Sequence, residues 1–201
     1  ASGSVFAFGS TPVNCNVTDS GQLTASGSFT VTVNDAPPAV GTPLDVTVTA
    51  TSAQGAAVLY APVTAADYKD GTLTAACAPA PGSTFPIGTT VVSCSATNSS
   101  QMATVTAFNV TVLDAPPAFT PPADISATAT SGAGAVVNYT TPTATDFKDT
   151  TVTVSCSPAS DSTFAIGTTT VDCSATNSAG LLTNHSFMVT VADAPPEFDA
   201  P

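Results

Sequence analysis

An internal repeat of 79 residues constrains this chain more than any other feature. Asp-Ala-Pro-Pro stands at Asp35, Asp114 and Asp193; Cys15, Cys94 and Cys173 keep the same spacing, and so do Cys77 and Cys156. Sliding 36–114 onto 115–193 needs no gap and gives 44 identities in 79 positions. Self-similarity at a fixed period marks one unit copied along the chain. Two full modules are therefore expected at 36–114 and 115–193. Residues 1–35 match only the last part of a module, with Val5-Phe6-Ala7-Phe8-Gly9 over Thr84-Phe85-Pro86-Ile87-Gly88, and 194–201 match the opening of the next. Ala1 aligns with Ala80, which puts a partner for Cys15 upstream of the first residue; an odd cysteine flags a missing or intermolecular partner. The expectation is a window cut from a longer array. The rival reading is a half-module completed by strands from another chain.

Each module reads as strands. Threonine and valine alternate in Val46-Thr47-Val48-Thr49, from Val105 to Val112, and in Val152-Thr153-Val154. Period-2 alternation of β-branched residues is the pattern of a half-buried strand. It puts Phe108, Val110 and Val112 on one face and Asn109 and Thr111 on the other. Turn residues at Ser52 to Gly55, Lys69-Asp70-Gly71 and Pro79 to Ser83 recur at the spacing of a β-sandwich. The expected fold is all-β: tandem immunoglobulin-like sandwiches of about seven short strands each. Paired prolines favour extended backbone, so the junctions are expected to be semi-rigid.

Charge narrows the function. Two lysines, no arginine and 14 acids give a formal net charge of −12. Nucleic-acid binding needs a cationic footprint, and this chain repels phosphate. Anionic membrane surfaces are disfavoured for the same reason. No run of 18 apolar residues exists to insert in a bilayer.

Ser83-Thr84-Phe85-Pro86-Ile87-Gly88-Thr89-Thr90-Val91-Val92-Ser93-Cys94-Ser95-Ala96-Thr97 resembles the signature of the HYR (hyalin repeat) module, and Ser162 to Thr176 repeat it. Pro122 to Ile125, the Asp67 to Gly71 turn, and the closing strands Ser28 to Val33 and Ser186 to Val191 resemble the family's other marks. The resemblance implies immunoglobulin-like modules of extracellular adhesive and matrix proteins. Two departures stand out. A second cysteine pair usual in the family is absent, its closing positions being Thr106 and His185. The aspartate usual after Ala-Thr is Asn98 and Asn177, which weakens an acidic metal ligand there.

Cys77 with Cys94, and Cys156 with Cys173, lie 17 residues apart with turn residues between, and read as disulfides stapling adjacent strands. Such a loop contributes about 3 kcal/mol by loop-entropy reasoning, which small modules poor in aromatics need. Disulfides place the chain in an oxidising compartment, hence outside the cell. Asp67-Tyr68-Lys69-Asp70 and Asp146-Phe147-Lys148-Asp149 read as local ion pairs, Asp67 with Lys69 on one strand face. The alternative for Asp67, Asp70, Asp146 and Asp149 is calcium, with Asp45 or Asp124 joining. Asn16, Asn98, Asn109, Asn138 and Asn184 head Asn-x-Ser/Thr triplets and are candidate N-glycan acceptors, Asn109 foremost because it faces outward. A lone His185, cysteines tied up in pairs and Glu197 as the one glutamate leave no catalytic constellation. No enzyme activity and no cofactor are expected.

These features point to a structural building block of a long extracellular repeat protein, partnered by copies of itself or by other fibre and matrix proteins. The Ala/Thr/Pro-rich, lysine-poor composition is similar to that of extracellular algal fibres such as flagellar hairs (mastigonemes). Sheet edges poorly guarded by lysine suit lateral assembly. The alternative is a cell-surface adhesion module recognising a glycan or receptor, with or without calcium.

Overall fold

Alternating β-branched residues build strands throughout the computed structural model, which describes residues 3–196. Residues 197–201, with Glu197 and most of the expected opening of a further module, lie outside the described residues, as does Ala1. Contacts divide the chain into two compact units, Ala1–Val46 with Val58–Ser83 and Val91–Val110, and Thr47–Ala57 with Thr84–Thr90 and Thr111–Pro201. The 115–193 repeat lies wholly in the second unit, whereas the strands of 36–114 are shared between the two.

In the first unit β1 (Gly9–Thr18) and β2 (Thr24–Val33) form an antiparallel hairpin, with Val13 opposite Phe29 and Cys15 opposite Gly27. The 36–114 repeat contributes β3 (Ala39–Val40), β4 (Val46–Thr49), β5 (Ala56–Ala57), β6 (Thr64–Asp67), β7 (Gly71–Thr74), β8 (Ala76–Ala78), β9 (Thr84–Phe85), β10 (Gly88–Thr97) and β11 (Ala103–Leu113). Their sheet orders are β4-β11-β10-β8, β3-β6-β7 and β5-β9. The 115–193 repeat contains β12 (Ile125–Thr128), β13 (Ala135–Val137), β14 (Val154–Ser157), β15 (Ser162–Phe164), β16 (Gly167–Thr176) and β17 (Leu182–Ala192).

That second repeat shows why the sequence folds as it does. Its main sheet runs β12-β17-β16-β14. β12 lies parallel to β17, and the other pairs are antiparallel. Phe187, Val189 and Val191 on β17 and Val171, Cys173 and Ala175 on β16 are buried, while Thr168, Thr170 and Asp172 between them face out. Opposite them β13 pairs with β15, contributing Ala135, Val137 and Phe164 to the same core. Each fully buried Val or Phe contributes about 1.5–3 kcal/mol. Tyr139 stacks edge-on against Phe187 at 5.0 Å and its hydroxyl donates to the Pro158 carbonyl. Burial pushes the Tyr139 phenol up from its ordinary pKa.

The turn before β13 requires glycine. Gly134 has φ +111°, and a Cβ there would lie 1.9 Å from the Phe164 carbonyl oxygen. Gly55 repeats this at +105° and 1.8 Å from the Phe85 carbonyl oxygen.

The repeats differ on their second layer. In the first, Asp67-Tyr68-Lys69-Asp70 turns the chain and Gly71 at φ +76° starts β7, so β6 and β7 pair from Asp67↔Gly71 to Thr64↔Thr74. In the second, Thr150 stands where Gly71 does, and a β-branched residue resists that left-handed conformation. No hairpin forms there, and a single bridge joins Ala118 to Thr145. The expected strand Val152-Thr153-Val154 is corrected accordingly: regular structure begins only at Val154.

Candidate functional site: a carboxylate–amide clamp in each repeat

Three segments far apart in sequence meet around one buried amide. Asn98 opens the turn that joins β10 to β11 and is 2% exposed. Its main-chain N–H donates to the Met102 carbonyl, and its side-chain oxygen accepts from the Met102 N–H at 2.9 Å, closing the turn. Its side-chain nitrogen donates to Asp35 Oδ2 (3.2 Å), the Ala36 carbonyl (2.9 Å) and Asp67 Oδ2 (3.1 Å). Asp35 and Ala36 belong to the Asp-Ala-Pro-Pro string that opens the repeat. Asp67 heads the turn after β6, where its Oδ1 accepts from the N–H groups of Lys69 and Asp70, each at 2.9 Å. Asp70 in turn accepts from the Ser99 N–H (2.6 Å) and hydroxyl (2.8 Å).

The second repeat uses the same atoms. Asn177 donates to Asp114 Oδ2 (3.2 Å), the Ala115 carbonyl (3.0 Å) and Asp146 Oδ2 (3.1 Å). Asp146 accepts from the N–H groups of Lys148 and Asp149, and Asp149 from Ser178. One branch is particular to the first repeat. Lys69 Nζ donates to the Ser100 hydroxyl at 2.9 Å, that hydroxyl donates to Asp35 Oδ2 at 2.7 Å, and Lys69 Nζ lies 4.0 Å from the same oxygen. Ala179 stands at the Ser100 position in the second repeat.

Hydrogen bonding lowers the key carboxyls. Asp67 is held below its ordinary pKa first by the Asp70 N–H, against an upward push from burial, with Asn98, the Lys69 N–H and the Lys69 charge adding to the lowering. For Asp146 burial is the largest single influence and raises the pKa. Donation from Asp149, Lys148 and Asn177 and the Lys148 charge together outweigh it, and the net shift is downward.

The carboxylate oxygens of Asp35, Asp67 and Asp70 lie within 4.8 Å of one another. Mutual repulsion there is offset by donors to each carboxylate: the Asn98 amide to Asp35 and Asp67, the Ser100 hydroxyl to Asp35, the Lys69 and Asp70 N–H groups to Asp67, and Ser99 to Asp70. The arrangement is a cross-link made of charge-assisted hydrogen bonds.

Several expectations shift. The ion pair of Lys69 is with Asp35 rather than Asp67, because the chain turns at Asp67 and does not continue as a strand. Asn98 was expected on an exposed loop as a glycan acceptor. It is buried, and a sugar on its amide nitrogen would displace the clamp's donations. Asn109 faces away from the core but is half-buried, its N–H and amide donating to Asp45 at 2.7 and 3.3 Å. Asp124 likewise accepts from the Met188 N–H rather than joining the acidic cluster. Asn16 and Asn184 are exposed on β1 and β17, and Asn138 is exposed with its amide donating to Asp161. Asp35 and Asp114 escaped the sequence reading as site residues, although their recurrence in Asp-Ala-Pro-Pro was the available signal.

Cys77 is bonded to Cys94 and Cys156 to Cys173, each pair directly opposite on antiparallel strands with Cα atoms 4.0 Å apart. Cys15 is an exposed free thiol. His185 packs its ring edge-on to Phe119 at 5.0 Å.

The HYR domain matches residues 34–112 and 114–191. Hyalin of Strongylocentrotus purpuratus is 36% identical over 181 residues, covering 85% of this chain and 15% of that protein. Among solved structures, the protocadherin gamma B4 extracellular domain overlays with a TM-score of 0.38 at 12% identity, covering 92% of this chain and 37% of the other. Mouse cadherin-23 EC22–24 overlays at 0.34 and 16%, covering 92% and 74%. Overlays at such scores carry no functional inference. With the HYR domain matched twice over most of its length, the chain belongs to the HYR domain family.

Proposed function

We propose that the chain is a structural building block of an extracellular repeat protein, assembling with its own copies or with other matrix proteins into a filament or matrix. The observation that carries this reading is the duplication of the clamp's asparagine donations and aspartate acceptances in both repeats. Both repeats tie opening string, acidic turn and closing hairpin to one buried asparagine. Both add a staple across the β8–β10 or β14–β16 pair. Such cross-links are suited to holding a small Val/Ala core under load, and the disulfides call for an oxidising, extracellular setting. Asn16, Asn138 and Asn184 are exposed acceptors for N-glycans in that setting. Asn109 is a less accessible one, its amide held by Asp45.

Electron microscopy of native, unreduced material tests the assembly. Regular filaments are expected. Isolated flexible strings of beads would overturn it and favour an adhesion module that recognises a glycan or receptor.

A further inference from the structure

We propose that the exposed threonines Thr140, Thr141 and Thr143, with Thr120 beside them, are acceptors for O-linked sugars. The proposal rests on the extracellular reading, since sugar transfer of this kind accompanies secretion.

The two repeats differ at these positions in a way that bears on access. Thr140-Thr141-Pro142-Thr143 runs between β13 and the Ala118–Thr145 bridge, outside any strand. The four hydroxyls are exposed and take no hydrogen-bond partner among the described residues. Pro142 has no N–H, which keeps the stretch out of a sheet ladder. Thr120 precedes Pro121-Pro122 on the neighbouring segment, and an open groove of about 580 Å³ runs between the two. In the first repeat the counterparts are Gly41, Ala61, Pro62 and Thr64. Only Thr64 bears a hydroxyl, and it is fixed in β6 opposite Thr74. Thr64 and Ala65 are held in β6, whereas their counterparts Thr143 and Ala144 lie in no strand, and an unpaired segment is what an enzyme can draw into its acceptor cleft.

The chemistry balances with a glycosyl phosphate donor. The threonine Oγ1 forms a bond to the anomeric carbon, the bond from that carbon to the phosphate oxygen breaks, and the phosphate leaves with the electron pair. The hydroxyl proton passes to a base on the transferase.

The test is electron-transfer fragmentation of peptides from the native protein recovered outside the cell. Treatment with peptide N-glycosidase comes first, because Asn138-Tyr139-Thr140 is also an N-glycan triplet. Residual sugar mass on Thr120, Thr140, Thr141 or Thr143, with none on Thr64, is expected. It should disappear when Thr140, Thr141, Thr143 and Thr120 are replaced by Ala in the native host. Secreted, disulfide-bonded protein bare at all four threonines would overturn this proposal alone. Protein found only inside the cell with free thiols would overturn the extracellular reading and this proposal with it.

Discussion

Asn98 and Asn177 each satisfy acceptors from separate segments with one amide, so their loss strands carboxylates that folding has gathered. Asn98→Ala or Asn177→Ala is expected to cost about 1.5–3 kcal/mol, the range for hydrogen bonds to charged groups, read as a lower urea midpoint. Asn98→Asp is expected to be worse than Ala at neutral pH, because it adds a charge beside Asp35 and Asp67, and the gap should narrow in acid. Since the folded pKa values of Asp67 and Asp146 are lowered from 3.8, the unfolded chain binds more protons below that value. Their contribution is present above pH 3.8 and lost as pH falls through the folded values. A melting series from neutral pH downward should therefore be flat before falling in that range. Midpoint loss beginning near pH 6 would point elsewhere. Millimolar calcium is expected to leave the midpoint unchanged, as the acidic oxygens are already met by protein donors; a rise of several degrees would restore the calcium reading. Half of this site was legible in the sequence. Asp67 and Asp70 stood out as paired acids at a turn, but Asp35 lies 63 residues from Asn98, and only folding shows that they touch.

At the scale of elements, alternation located the long strands because burial on one face imposes period 2 on their composition. β5 and β9, two residues each, are too short to carry a period, and packing alone places them. The misread segment at 152–154 is instructive. Its Val-Thr-Val alternation is intact, yet the pairing partner is lost to one residue at the turn. Thr150→Gly is expected to restore the hairpin seen at β6–β7, with slower amide exchange across 143–153. Unchanged exchange would mean that something other than the turn withholds the strand.

For the molecule as a whole, the repeat in the sequence announced the duplicated architecture, while the β1–β2 hairpin leaves exposed what the 36–114 repeat buries at matching positions. Val17 and Phe29 are 65% and 56% exposed, whereas their counterparts Ala96 and Phe108 are buried. The central claim is that each repeat bears load as a stapled unit, and stretching single molecules tests it most directly. Two discrete unfolding steps of equal length are predicted. Each should lengthen by about 60 Å after reduction, as the stretch spanned by paired cysteines, a sequence separation of 17, is released at up to about 3.6 Å per residue. Gradual extension without steps, or steps indifferent to reduction, would contradict the account.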